Sequence, residues 1–165
     1  MSVEHPLAPR WRRLVSLCYE SLLLLAVILV AGMLFQLLFS RLAGTPAQFA
    51  FLILVLYGYF AWCWRRSGQT LAMKTWRLQL RNRANQLPSL WQVSLRFALC
   101  LLVYAPLIPL WAYTKHVPEM KWLLWLGLVW MALPWLWALV DREQQCLHDR
   151  LSGIRVVLLP IHRAD

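Results

Sequence analysis

The sequence predicts an all-α membrane protein, a four-transmembrane-helix bundle with both termini cytoplasmic. A short cytoplasmic amphipathic helix and a two-stranded β ribbon complete the expected fold. Three observations predict it: an apolar composition, four uncharged or nearly uncharged runs, and a one-sided distribution of cations. Of 165 residues, 61% are hydrophobic and 15% charged, against roughly 45–50% and about 25% in soluble domains. Eleven tryptophans and a mean hydropathy of +0.53 point the same way. This composition excludes a disordered chain and an ordinary soluble enzyme. The length fits one domain spanning residues 1–165.

A membrane helix needs about 20 mostly apolar residues to cross a core of roughly 30 Å. The first run, 14–39, carries Glu20 as its one acidic residue. It is too long for a signal-peptide core and has no small-residue cleavage site, so it is expected to be retained. The second, 48–64, is uncharged. The third, 93–113, holds only Arg96 near its start, and the fourth, 122–140, is uncharged. Backbone polar groups in lipid must be satisfied within the segment, which favours helices. Pro106, Pro109 and Pro134 are expected to bend the third and fourth.

The net charge of +10 arises from 17 Lys and Arg against 7 Asp and Glu. Fourteen of the cations fall on one side of this topology: the amino-terminal stretch, the loop 65–89, the start of the third helix and the tail 141–165. Arg41, Lys115 and Lys121 fall on the other side. The positive-inside rule then makes the termini and the loop cytoplasmic. Cations so placed meet anionic lipid headgroups at the 65–89 loop, and nucleic acid is not an expected partner. Trp11, Trp62, Trp64 and Trp91 are expected to line the cytoplasmic interface, and Trp111, Tyr113 and Trp122 the opposite one. Trp125, Trp130, Trp135 and Trp137 continue through the fourth run, where lipid contact and helix packing account for them.

Within the loop, Ser67 or Thr70 can cap a short surface helix reaching Lys74, with Leu71 and Met73 in the headgroups. Residues 76–81 alternate apolar and polar, the period of a strand. The stretch 82–87 is turn-like. A second strand-like run, 154–159, follows Gly153. Two such runs invite pairing, and because an isolated ribbon is marginal in water, it needs support from the membrane surface or a second copy of the chain.

These residues resemble the RDD family of small, mostly bacterial membrane proteins. Its first helix reads roughly R-R-L-x-A-x-x-I-D, matched by Arg12-Arg13-Leu14 through Glu20. A G-Q-T-x-G-K stretch is matched by Gly68-Gln69-Thr70-Leu71-Ala72-Met73-Lys74. A family arginine before the third helix is matched by Arg96, and H-D-R-L-x-G-x-x-V-V by His148-Asp149-Arg150-Leu151-Ser152-Gly153 and the residues to Val157. Glu20 stands where the family has aspartate, Ala72 where it has glycine, and Ile154 where it has threonine. The resemblance implies a multi-pass protein of the bacterial plasma (inner) membrane that transports an unidentified ligand.

An acid in a membrane helix costs at least about 2.5–3.5 kcal/mol and should find a partner. Arg13 lies seven residues earlier, within about 20° of the same helical face and about 10 Å below. Arg96 is expected at comparable depth, and Asp141 and Asp149 near Arg13. The sequence therefore predicts a charge cluster of Arg13, Glu20, Arg96, Asp141 and Asp149 at the cytoplasmic end. Two roles remain open: a site that exchanges an ion or binds a small solute, or a structural clamp in a non-transporting scaffold or assembly partner. Four helices enclose little space, so a pathway is expected between protomers of a homo-oligomer. Gly68, Gln69, Thr70, Lys74, His148, Arg150 and Gly153 form the cytoplasmic motif.

No enzymatic activity is expected. His148-Asp149 is followed by Ser152, but adjacency is not triad geometry, and the pair is read as a solvated or interfacial cap. Cys18, Cys63, Cys100 and Cys146 form no C-x-x-C pair, so reduced thiols are expected and neither a metal nor a cofactor.

Overall fold

The computed structural model describes residues 7–141 and 145–160. Part of the expected tail, 142–144 and 161–165, lies outside the described residues, as does the side chain of Trp135. The elements run α1 (Arg10–Leu38), α2 (Pro46–Arg66), α3 (Leu71–Thr75), β1 (Leu78–Asn82), α4 (Leu90–Tyr104), α5 (Leu107–His116), α6 (Trp122–Val140), α7 (Leu147–Ser152) and β2 (Ile154–Leu158).

Three stretches are long and apolar enough to cross a membrane: Trp11–Leu38, Pro46–Thr75 and Leu90–His116. The helix α6 adds 19 residues, apolar over Trp122–Pro134. The spanning helices turn apolar side chains outward. Leu22, Leu29, Leu37 and Leu54 are all more than 60% exposed, the surface expected of a bundle whose solvent is hydrocarbon rather than water.

The third run is divided at Pro106. The helix α4 begins at Leu90 because Ser89 and Gln92 form a reciprocal capping box, satisfying two donors that the first turn otherwise leaves orphaned. It ends at Tyr104, and α5 starts after Pro106. Proline offers no amide hydrogen and its ring clashes with the preceding turn. Pro109 falls in the first turn of α5, where a missing donor is harmless. Pro134 lies inside α6. Helices α5 and α6 pack closely: a Cβ on Gly127 would come within 2.9 Å of Leu110 Cδ2. Small residues permit such approach in membranes.

The two strand-like runs pair antiparallel, with Leu78 opposite Leu158, Leu80 opposite Val156 and Asn82 opposite Ile154. Their support comes from within the chain. Leu7 bridges Val157 on the outer side of β2, and the Ala8 N–H donates to Val156 O at 3.1 Å. Ala8, Cys63, Trp64, Leu78, Leu80, Val93, Ile154 and Val156 form the buried hydrophobic core. The best-packed region is therefore the junction where the ribbon meets the ends of α1, α2 and α4, not the interior of the bundle.

Trp64 belongs to this core, at 5% exposed. That corrects its expected interfacial place: Phe60 packs on one side at 4.6 Å between ring centroids, and the Arg96 guanidinium covers the indole at 5.0 Å. Trp62, Trp91 and Trp11 remain exposed as expected.

Candidate functional site

The 29 residues of α1 measure about 43 Å at about 1.5 Å each, some 13 Å more than a hydrocarbon core. Its amino-terminal turns carry Arg12 and Arg13 and lie against the ribbon, where Arg13 Nη2 donates to Val156 O at 3.3 Å. Glu20 sits about 15 Å along the helix axis, at the level where α1 leaves the ribbon layer and enters the apolar bundle.

Glu20 is 7% exposed. Its carboxylate accepts two hydroxyl donors: Tyr59 on α2 at 2.9 Å to Oε1, and Thr70 to Oε2. Thr70 is the N-cap of α3, where its Oγ1 also accepts from the Met73 amide at 3.3 Å. One hydroxyl thus donates to the acid and accepts from the helix end, which fixes its proton toward Glu20. Among the described residues, no ion pair includes Glu20. The five-residue charge cluster expected from the sequence is resolved into separate groups.

The second group lies at the base of α4 and α6. Arg96 on α4 bonds Asp149 on α7, and both side chains are nearly buried. Asp141, the C-cap of α6, accepts from Arg150 on α7 and from the Gln145 amide at 3.0 Å. These two pairs hold α7 against the ends of α4 and α6. An aromatic run, Tyr59–Phe60–Trp64, leads from Glu20 to the Arg96 guanidinium.

The GQT motif serves the ribbon. Gly68 has φ +68, and a Cβ there would lie 2.8 Å from Leu80 O; its own carbonyl accepts from the Leu80 amide at 2.7 Å. Gln69 Nε2 donates to Leu78 O at 2.6 Å. Lys74 is exposed in the last turn of α3, whose Ala72 is buried. Gly153 closes α7 in the left-handed conformation, φ +67, which glycine adopts without penalty.

His148 is buried rather than solvated, at 8% exposed. Its Nε2 lies 3.4 Å from Asp149 Oδ1. Burial lowers the imidazole pKa below its ordinary 6.5, Asp149 opposing and Arg96 adding. Burial likewise pushes the Cys146 thiol up to about 12, with Asp149 adding while Arg96 and Arg13 oppose. Ser152 is committed to the backbone, donating to His148 O at 2.8 Å, so it is no nucleophile for His148.

The family model of the RDD family matches residues 7–153. The chain belongs to the RDD family. No curated protein and no solved structure matches it. The match covers β1 and ends at Gly153, one residue before β2 begins. Tyr59 and Trp64 lie outside the motifs by which the family resemblance was drawn. Tyr59 had one signal, a hydroxyl in an uncharged membrane helix, which needs a partner; nothing in the sequence marks Trp64 as a core residue.

Proposed function

We propose that this RDD protein exchanges a proton and a small cation across the bacterial inner membrane, with Glu20 as the exchanging group. The carrying observation is a buried carboxylate whose described partners are two hydroxyls and no cation. A permanent Arg partner would hold the charge in place. Hydroxyls instead bond a charged carboxylate as donors and keep a lone pair for a bound ion, and carboxylate and hydroxyl oxygens suit small hard cations. The proposal takes α6 as the fourth span, with both termini cytoplasmic. Fourteen of 17 cations fall in the sequence segments read as cytoplasmic, which supports that orientation. A homo-oligomer supplies the rest of the pathway, and exposed Trp125 and Val129 on α6 offer one face for it.

A structural role for the other charges is favoured by the Arg96–Asp149 and Arg150–Asp141 pairs, which join α7 to the bundle. In the competing scaffold reading, Glu20 has that role too.

The test is Glu20→Gln and Glu20→Asp in reconstituted vesicles, with flux and thermal unfolding measured separately. Exchange predicts pH-dependent Na⁺ or K⁺ flux in the parent, loss in a folded Gln variant, and recovery in Asp. Absence of flux of either cation from the parent, or full flux with Gln, overturns it.

A further inference from the structure

Cys146, His148 and Asp149 lie within four residues at the junction of α6 and α7, apart from Glu20 and independent of the exchange proposed for it. Cys146 is the N-cap of α7, and the other two lie in its first turn. Their sulfur, ring nitrogen and carboxylate oxygen all lie within 4.8 Å of one another. Each residue is buried.

The His148 ring supplies a second observation. It makes no described hydrogen bond, and its Nδ1 is buried with no partner. Leaving a buried polar group unpaired costs about 1–3 kcal/mol, and native proteins rarely do so without cause. Nor does the Nε2–Asp149 approach, at 3.4 Å, meet ordinary hydrogen-bond length. This imidazole is held beside a thiol and a carboxylate without the bonds that would make it merely structural.

We propose that Cys146, His148 and Asp149 bind a thiophilic divalent cation of the zinc type. Thiol, imidazole and carboxylate together are the donors of zinc; calcium and magnesium take oxygen alone. Ligand distances of about 2.0–2.3 Å to zinc place tetrahedral ligands roughly 3.3–3.8 Å apart, so the trio closes on an ion by small side-chain shifts. Binding converts the Cys146 thiol to a metal thiolate and releases its proton to solvent. Thiolate and carboxylate then face the divalent ion and Arg96, which orients Asp149 through its bond as outer partners of metal ligands do. Three protein ligands leave a fourth position for water or a further ligand.

The experiment adds Co²⁺ to the full chain in lipid nanodiscs and records absorption. The expected result is one equivalent per chain, with a sulfur-to-cobalt charge-transfer band and tetrahedral ligand-field bands, both displaced by Zn²⁺. Cys146→Ser removes the charge-transfer band. His148→Gln keeps Cys146 and weakens binding about 10–100-fold, which tests the site even if the serine variant fails to fold. A Cys18→Ser, Cys63→Ser, Cys100→Ser chain retains the full spectrum. Absence of the band from the parent, its persistence in Cys146→Ser, or its loss from the triple variant overturns the proposal.

Discussion

Thr70 donates its hydroxyl proton to the carboxylate of Glu20, fifty residues away, while the same oxygen caps α3. The first membrane helix is thereby tied to the start of the ribbon layer through one side chain. Removing that hydroxyl loses a helix cap, about 1 kcal/mol, and a bond to a charged group, about 1.5–3 kcal/mol. Thr70→Ala should destabilise the protein by about 2.5–4 kcal/mol and Thr70→Ser by well under half of that, as read by denaturant unfolding in detergent.

The two ion pairs of α7 should differ in worth. Asp149 and Arg96 are both nearly buried, whereas the Arg150 side chain is half exposed. Breaking a buried pair leaves an uncompensated charge and costs about 3–5 kcal/mol; a solvent-screened pair gives about 0–1 kcal/mol. Asp149→Asn, which strands the nearly buried Arg96, should therefore lower stability far more than Asp141→Asn, which leaves the half-exposed Arg150 to solvent. Equal losses would contradict the burial assigned to these groups.

Gly68 and Gly153 share a left-handed backbone but not a neighbourhood. A Cβ on Gly68 meets a backbone oxygen at 2.8 Å, while one on Gly153 meets only the flexible end of Gln92 at 3.5 Å. Both alanine variants carry the left-handed strain of about 1–2 kcal/mol. Gly68→Ala adds a backbone clash and should detach the GQT turn from β1. Thermal unfolding should rank Gly68→Ala clearly below Gly153→Ala, with increased proteolysis in the 65–89 loop.

The buried imidazole sets a pH dependence in chelator-treated protein. His148 has a lower pKa folded than unfolded, so the unfolded chain binds the extra proton first as pH falls. Its contribution is present above about 6.5 and is lost as pH drops from there through the folded value. Thermal stability should decline over that acidic window, and His148→Gln should flatten the decline. Asp149 and Arg96 are the charged groups that face the ring.

Much of this fold was legible in the sequence because its cause is local. Three of the apolar runs, the surface helix capped by Thr70 and the alternating run read at 76–81, which forms a strand over 78–82, each depend on a few neighbouring side chains. The Ser89–Gln92 box starts α4 at Leu90, three residues before the apolar run read from the sequence. Glu20 was marked as a buried acid by its surroundings alone.

Which residue meets that acid was a different question. Arg13 shares its helical face, but α1 is long enough to carry Arg13 out of the bundle to the ribbon, leaving Glu20 beside Tyr59 and Thr70. Trp64 flanks two arginines in sequence and is buried only because the ribbon folds over it. Composition and periodicity determine that the chain enters a membrane and which segments form helices, since hydrocarbon penalises every unpaired amide alike. Partnership at the junction is set by how far each helix protrudes and by what returns to cover it, and those distances exist only once strands 76 residues apart at Leu78 and Ile154 have met.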